Sequence, residues 1–132
     1  MLSRDSSLLT LRGDSLGAIK SQSSAEEIFQ NNTLRPILKL QNEVLLALFS
    51  TYIVQQKNVF HDLSTVKKLA YIDHAVQRDN SFRNVLKGII IALFTSTELS
   101  EYTTNTSVLN KRMMALIAER LKSQIQLLEP QL

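Results

Sequence analysis

Apolar residues recur at helical spacing through most of the chain, and they are densest between Phe82 and Phe94. A helix turns by about 100° per residue, which places most of the apolar side chains in this stretch on one broad face. Ile91 lies on the opposite side, so we predict a core helix that is covered on more than one side. Gly88 and Ala92 lie one turn apart and form a small-residue notch that another backbone can approach closely.

Capping residues and a proline divide the remaining pattern into helices. Ser24 with Glu27 matches a capping box, and Ser64 and Asp79 are further N-cap residues. Pro36 disfavours a helical conformation at the residue before it, which indicates either a new helix or a kink. The predicted helices are 24–34, 36–57, 64–78, 79–94 and 108–128, with one short helical turn near residues 98–102.

The first 23 residues differ from the rest of the chain. They are rich in serine with scattered leucines, which is typical of a mobile N-terminal arm, with a short extended piece at Leu8–Leu11. Residues 24–132 then form the folded domain. The sequence therefore predicts an all-α fold, a compact bundle of about five helices with a mobile N-terminal arm.

Apolar side chains exceed what a small five-helix monomer is expected to hide. Two predicted helices are apolar almost all round, and the last helix carries a stripe at intervals of three and four residues, which is typical of a helix–helix seam. A symmetric homodimer would cover the excess because the same patch meets itself, and each exposed side chain would otherwise forgo about 1.5–3 kcal/mol. The alternative is that the short helices and the arm cover these side chains within one chain. The candidate interface residues are Leu46, Ile53, Ile91, Met113, Met114, Ile117, Leu121, Ile125 and Leu128.

Composition and charge narrow the functional classes. The chain has 132 residues and a net charge of +3. It has no cysteine, which excludes disulfides, thiol catalysis and thiolate metal sites. A dedicated nucleic-acid-binding domain concentrates more positive charge on one face, so we do not expect nucleic acid as a partner. The apolar runs are shorter than the roughly 20 residues of a membrane-spanning helix, and no targeting segment is evident. We therefore expect a cytoplasmic protein without a membrane partner.

The sequence offers no recognisable set of catalytic or metal-binding residues. Its two histidines, His61 and His74, are thirteen residues apart and match no metal-binding spacing. A nucleophile elbow and a phosphate-cradling glycine loop are both missing from the sequence. We expect no metal, no cofactor and no enzymatic activity. An enzyme built around His61 or His74 is the disfavoured alternative.

Basic residues gather around the junction of the third and central predicted helices. Arg83 and Lys87 lie one turn apart near a helix start, where backbone amides also favour anions. Arg35 and the start of the last helix can join them in space. The alternative, which the sequence favours, is that the arginines pair with Asp79 and nearby acids while Lys87 is solvated. The candidate anion-binding residues are Arg78, Arg83, Lys87, Lys111 and Arg112.

Four segments carry a family resemblance. They are AEEIFQNNTLRP, LRPILKLQNEVL from Leu34, QRDNSFRNVLKGIIIALFT from Gln77 and NKRMMALIAERLKSQ from Asn110. Together they resemble a family of short bacterial all-helical proteins whose members often carry the name glyoxalase. Known glyoxalases use paired βαβββ units with a metal site of His and Glu, or a metallo-β-lactamase fold with an HxHxDH motif. This sequence has neither, so the resemblance implies a helical fold and transfers no catalytic residue.

The sequence therefore favours a non-enzymatic helical-bundle protein that acts as a homodimeric interaction or regulatory module. Its expected partner is a second copy of the chain, or another protein that the sequence does not identify. An anion- or nucleic-acid-binding protein that uses the basic cluster is the main alternative, and a glyoxalase-like enzyme is disfavoured.

Overall fold

The computed structural model describes residues 3–13 and 23–128, and these ranges are helical almost throughout. They contain seven helices, α1 Arg4–Arg12, α2 Ala25–Leu40, α3 Asn42–Gln55, α4 Thr65–Arg78, α5 Asn80–Ile91, α6 Ser96–Thr104 and α7 Thr106–Ser123. A short 3₁₀ turn, Phe60–Asp62, lies between α3 and α4, and a second, Ile125–Leu128, follows α7. The described ranges contain no strand, so the all-α prediction is confirmed, whereas the helix number exceeds the predicted five.

The last helix, α7, is the one against which most of the others pack. Helices α4 and α5 contact it, the middle of α2 contacts it, and α6 runs into it. By contrast α5, the most apolar stretch of the sequence, fully buries only Phe82, Leu86 and Ile90. Val85 is 49% exposed, and Gly88 on the same helix is also exposed. Ile91 on the opposite side is half-buried against the core, so the predicted cover on more than one side extends to Ile91 but not to Val85 or Gly88.

Most of the predicted interface residues lie inside the subunit. Tyr102 of α6 packs on Phe94, which in turn packs on Phe29, with ring centroids 5.5 Å apart in both pairs. This helix, which is longer than the helical turn predicted near residues 98–102, enlarges the core, so the chain covers more apolar surface than a five-helix bundle would. Leu46, Ile91 and Ile125 are half-buried against the same core. The predicted interface is wrong at six positions, which are buried within the chain: Ile53, Met113, Met114, Ile117, Leu121 and Leu128.

Helix α2 continues through Pro36 instead of ending there. Arg35 keeps helical angles (φ −63°, ψ −46°) because a π turn over Gln30–Leu34 widens the helix just before the proline. The break comes at Gln41, where α2 and α3 meet with a bend of 64°. The predicted boundary at Pro36 is therefore wrong.

No single helix in the described ranges is long and apolar enough to cross a membrane. Helices α2 and α3 together meet that test by length and composition alone, with the 64° bend between them.

Part of the predicted arm is a helix that packs against the domain. Helix α1 begins at the cap residue Ser3, whose hydroxyl accepts from the amide of Ser6. It ends at Gly13, where a φ of 77° suits a residue without a side chain. The extended piece predicted at Leu8–Leu11 is therefore wrong. Residues 1–2 and 14–22 of the predicted arm, and residues 129–132, lie outside the described residues.

Arg12, the last residue of α1, is buried in the domain. Its guanidinium donates to both carboxylate oxygens of Glu98, at 2.6 and 2.8 Å. It also donates to the backbone carbonyls of Leu93 and Asn32, each at 3.2 Å. Asn32 precedes Pro36 by four residues, and a proline has no N–H to offer that carbonyl. Arg12 thus joins α1 to the end of α5, to α6 and to the irregular turn of α2.

Glu98 is held from three sides. The Thr33 hydroxyl donates to it at 2.6 Å and the Thr95 amide at 2.8 Å, while Thr95 in turn caps α6 in a capping box. Burial alone would raise the pKa of Glu98, but the hydrogen bonds from Arg12, Thr33 and Thr95 outweigh burial and hold the pKa below its ordinary value of 4.5. Glu98 is therefore a carboxylate at neutral pH.

Replacing Glu98 by Gln should destabilise the protein strongly, because it leaves Arg12 buried without a counter-charge. Breaking a buried ion pair costs about 3–5 kcal/mol, and we expect a loss of about 3 kcal/mol in the free energy of unfolding, measured with urea. Glu101→Gln, an exposed site on the same helix, is the matched control and should stay within about 0.5 kcal/mol of wild type. Equal losses in the two variants would contradict this role of the pair.

The difference between wild type and Glu98→Gln should also depend on pH. A carboxyl whose pKa is lower in the folded state contributes stability that is fully present above the unfolded pKa. That contribution is lost as the pH falls through the folded pKa. We therefore expect the stability difference to be constant above about pH 5 and to shrink as the pH falls below it. A difference that is independent of pH in urea unfolding would show that the Glu98 carboxylate is not the stabilising species.

Candidate anion-binding site

Helices α4 and α5 meet at a corner made by one residue, Asp79. Its carboxylate accepts from the amide of Phe82 at 3.2 Å, which confirms the predicted N-cap, and from the hydroxyl of Tyr52 at 2.8 Å. The hydrogen bond from Tyr52, followed by those from backbone amides, holds the pKa of Asp79 below its usual range. Asp79 is therefore ionised, with one oxygen bonded to Phe82 and the other to Tyr52.

An open cavity of about 630 Å³ lies beside this corner. Three of the five predicted anion-binding residues line it together, each from a different helix. Lys87 is not in the lining, and Arg112 instead donates to Gln30 at 2.9 Å, toward α2. The lining residues are Asp73, His74, Gln77 and Arg78 from α4, Arg83 from α5 and Lys111 from α7.

The three cations of this basic cavity form no ion pair in the part of the chain that the structure describes. No described carboxylate oxygen lies within 4.0 Å of a side-chain nitrogen of Arg78, Arg83 or Lys111. Asp73, which also lines the cavity, pairs instead with Lys122 at 2.6 Å. The prediction that the arginines pair with Asp79 is therefore wrong, because Tyr52 and a backbone amide hold that carboxylate.

Arg83 lines the basic cavity from α5. It is half-buried, and its Nε atom is buried without an acceptor among the described residues. The Nε atom of Arg12, whose other guanidinium nitrogens bond to Glu98, is buried without an acceptor in the same way. The planar guanidinium of Arg83 also presents paired N–H groups that match the oxygens of a carboxylate or phosphate.

Three lining residues, Asp73, His74 and Gln77, were missing from the predicted anion-binding set. A signal was available, because His74 precedes Arg78 by four residues and Asp73 precedes Gln77 by four, which places each pair one turn apart on α4. His61 lies elsewhere, edge-on to Phe60 with ring centroids 5.5 Å apart. Within residues 3–13 and 23–128 there is no group of three or more His, Asp or Glu side chains that could hold a metal ion.

Comparisons of the chain with protein-family models, with curated proteins and with solved structures give no match. The resemblance to a family of bacterial helical proteins therefore stays a prediction. The function has to be argued from the geometry and charge of this chain.

Replacing Tyr52 by Phe should release Asp79 while keeping the ring that stacks on Phe82, with centroids 4.3 Å apart. We expect the pKa of Asp79 to rise toward its ordinary value of 3.8, because the hydroxyl is the largest cause of its lowering. The stability loss should be about 1 kcal/mol. Carboxyl NMR titration measures the pKa, and Tyr102→Phe, which removes a hydroxyl bonded to Asn110, is the control. An unchanged Asp79 pKa in the Tyr52 variant would contradict this assignment.

Proposed function

We propose that the protein binds a small phosphate-bearing molecule in the basic cavity and that it is a binding protein without catalytic activity. The observation that supports this most directly is the convergence of Arg78, Arg83 and Lys111 on one cavity while the nearby carboxylates bond elsewhere. Its volume of about 630 Å³ also falls within the range of about 300–1,000 Å³ that is typical of small-molecule sites.

The composition of the lining favours a phosphate group on a small molecule. Two arginines offer paired N–H groups and Lys111 offers a compact charge, which together suit a group that carries up to two negative charges. Gln77 and His74 add hydrogen-bonding groups. The described lining contains no phenylalanine, tyrosine or tryptophan on which a base could stack, so a nucleic-acid strand fits it less well.

Calorimetric titration of inorganic phosphate into the full chain tests the proposal. Arg83→Gln should weaken binding by about tenfold, because a hydrogen bond to a charged group contributes at least the roughly 1.4 kcal/mol that this ratio requires. Lys67→Gln, at the opposite end of α4, removes the same charge outside the cavity and should leave the affinity unchanged.

Two results would contradict phosphate binding at this site. One is an affinity in the Arg83 variant equal to that of wild type, and the other is an equal loss in the Lys67 variant, which would indicate net charge alone. Tight binding of a single-stranded oligonucleotide that weakens steeply with salt would favour the nucleic-acid alternative instead.

A homodimer is a second proposal, and it is supported by the open face of α5 rather than by the predicted seam. Val85 is 49% exposed there, and a Cβ built on Gly88 meets no neighbouring side chain or helix within 4 Å. The surface at Gly88 is thus open to a second copy of the chain, while the Ala92 carbonyl accepts from Arg4 at 2.7 Å.

Filling this notch separates the dimer from the fold. Gly88→Leu should leave the subunit folded, because nothing in the described chain meets the new side chain at its Cβ, and should convert a dimer to a monomer in light scattering at micromolar concentration. Ala70→Leu, at an exposed position of α4, is the control and should not change the mass. A wild-type protein that is already monomeric would rule the proposal out.

A further inference from the structure

A second, smaller cavity of about 210 Å³ lies between α7 and α2 and shares no lining residue with the basic cavity. Leu38 and Leu116 give it an apolar part, and Arg35 and Arg120 give it two guanidinium groups. Arg120 follows Lys111 by nine residues, or two and a half helical turns, so the two cavities lie on opposite flanks of α7. We refer to it as the arginine-pair cavity.

Each arginine of this pair is held at one edge by an asparagine. Arg35 donates from Nε to the Asn31 side-chain oxygen at 3.0 Å, and Arg120 donates from Nη1 to that of Asn42 at 3.4 Å. The side-chain amide of Asn42 is itself fixed by two hydrogen bonds with the side-chain amide of Gln124. Asn42 donates in one and accepts in the other, and each is 2.7 Å long. The other N–H groups of both guanidinium groups have no acceptor among the described residues. Two oriented donor forks are therefore available to a ligand.

Neither arginine of the pair forms an ion pair with a described residue. No carboxylate oxygen of the described residues lies within 4.0 Å of a nitrogen of Arg35 or Arg120. Glu119 lines the same cavity, but it is exposed and makes no ion pair with any described residue. Burial, and after it the positive charge of Arg35, lowers the pKa of Arg120. A partly buried cation next to a second cation is unfavourable unless an anion joins them.

We infer that the arginine-pair cavity is a second anion-binding site, which holds one compact oxyanion between Arg35 and Arg120. Its volume is about a third of that of the basic cavity, so it suits a single phosphate or a short carboxylic acid whose apolar part contacts Leu38 and Leu116. The inference does not rest on the proposed function, because it uses different residues on another flank of α7.

NMR titration of the Arg Nε–H resonances tests this site separately from the first. Inorganic phosphate and acetate are added in separate titrations to the full chain carrying Arg83→Gln, which weakens binding in the basic cavity about tenfold, and binding is read at Arg35 and Arg120. We expect saturable shifts at both Arg35 and Arg120, and the anion that gives the lower Kd identifies the preferred oxyanion. Adding Arg120→Gln should weaken binding at least tenfold, as read from Arg35, and adding Arg35→Gln should do the same, as read from Arg120.

Thermal unfolding distinguishes a binding role from a purely structural one. In anion-poor buffer, Arg120→Gln should keep or raise the Tm, because it removes a charge without a partner. The preferred anion should then raise the Tm of the Arg83→Gln protein but not that of the double variant. The absence of saturable shifts with both anions, or shifts at Arg35 that persist without Arg120, would overturn the inference. So would a lower Tm in the Arg120 variant together with no effect of either anion on the parent.

Discussion

The hydrogen bonds to Asp79 determine which charges at the corner of α4 and α5 remain without a partner. Asp79 follows the last residue of α4, caps the start of α5 and accepts a hydrogen bond from the hydroxyl of Tyr52 in α3. Its carboxylate accepts from Tyr52 and from the amide of Phe82, and it forms no ion pair with the arginine on either side of it. Positive charge therefore collects beside a corner that the backbone holds rigidly, and the start of α7 adds Lys111 to it.

The same distinction between paired and unpaired charge extends through the molecule. Arg12 is buried and has a bidentate carboxylate partner in Glu98, so its charge stabilises the fold. Arg120 is partly buried, yet it contacts only an amide oxygen and lies near a second arginine. An arginine whose role is structural is expected to resemble Arg12. The contrast between them is the reason for assigning the unpaired cations to ligands rather than to stability.

Local signals in the sequence predicted much of the fold. Ser24, Ser64 and Asp79 each accept a hydrogen bond from a backbone amide at the start of a helix, as their positions before apolar repeats indicated. The capping box of α6 was also present in the sequence, as Thr95 followed three residues later by Glu98, but only a short helical turn near residues 98–102 was predicted there. Recognising it would have supplied the extra helix that covers part of the core.

Contacts between distant residues were not predictable in this way. The bond from Tyr52 to Asp79 spans 27 positions, and the pairing of Arg12 with Glu98 spans 86. The first left the basic cluster unpaired, and the second drew a segment that looked like a mobile arm onto the domain. The interface predicted from the number of apolar side chains was wrong at six positions for a related reason. Helical periodicity alone does not show that the chain bends at Gln41.

The central claim is that the cations beside Asp79 are available to a ligand because that carboxylate is bonded elsewhere. An experimental structure of the full chain, determined in the presence of phosphate, tests it most directly. The account predicts a phosphate within hydrogen-bonding distance of Arg83 and of Arg78 or Lys111, with Asp79 still bonded to Tyr52. An Asp79 carboxylate paired with Arg78 or Arg83, and no anion in the cavity, would contradict it.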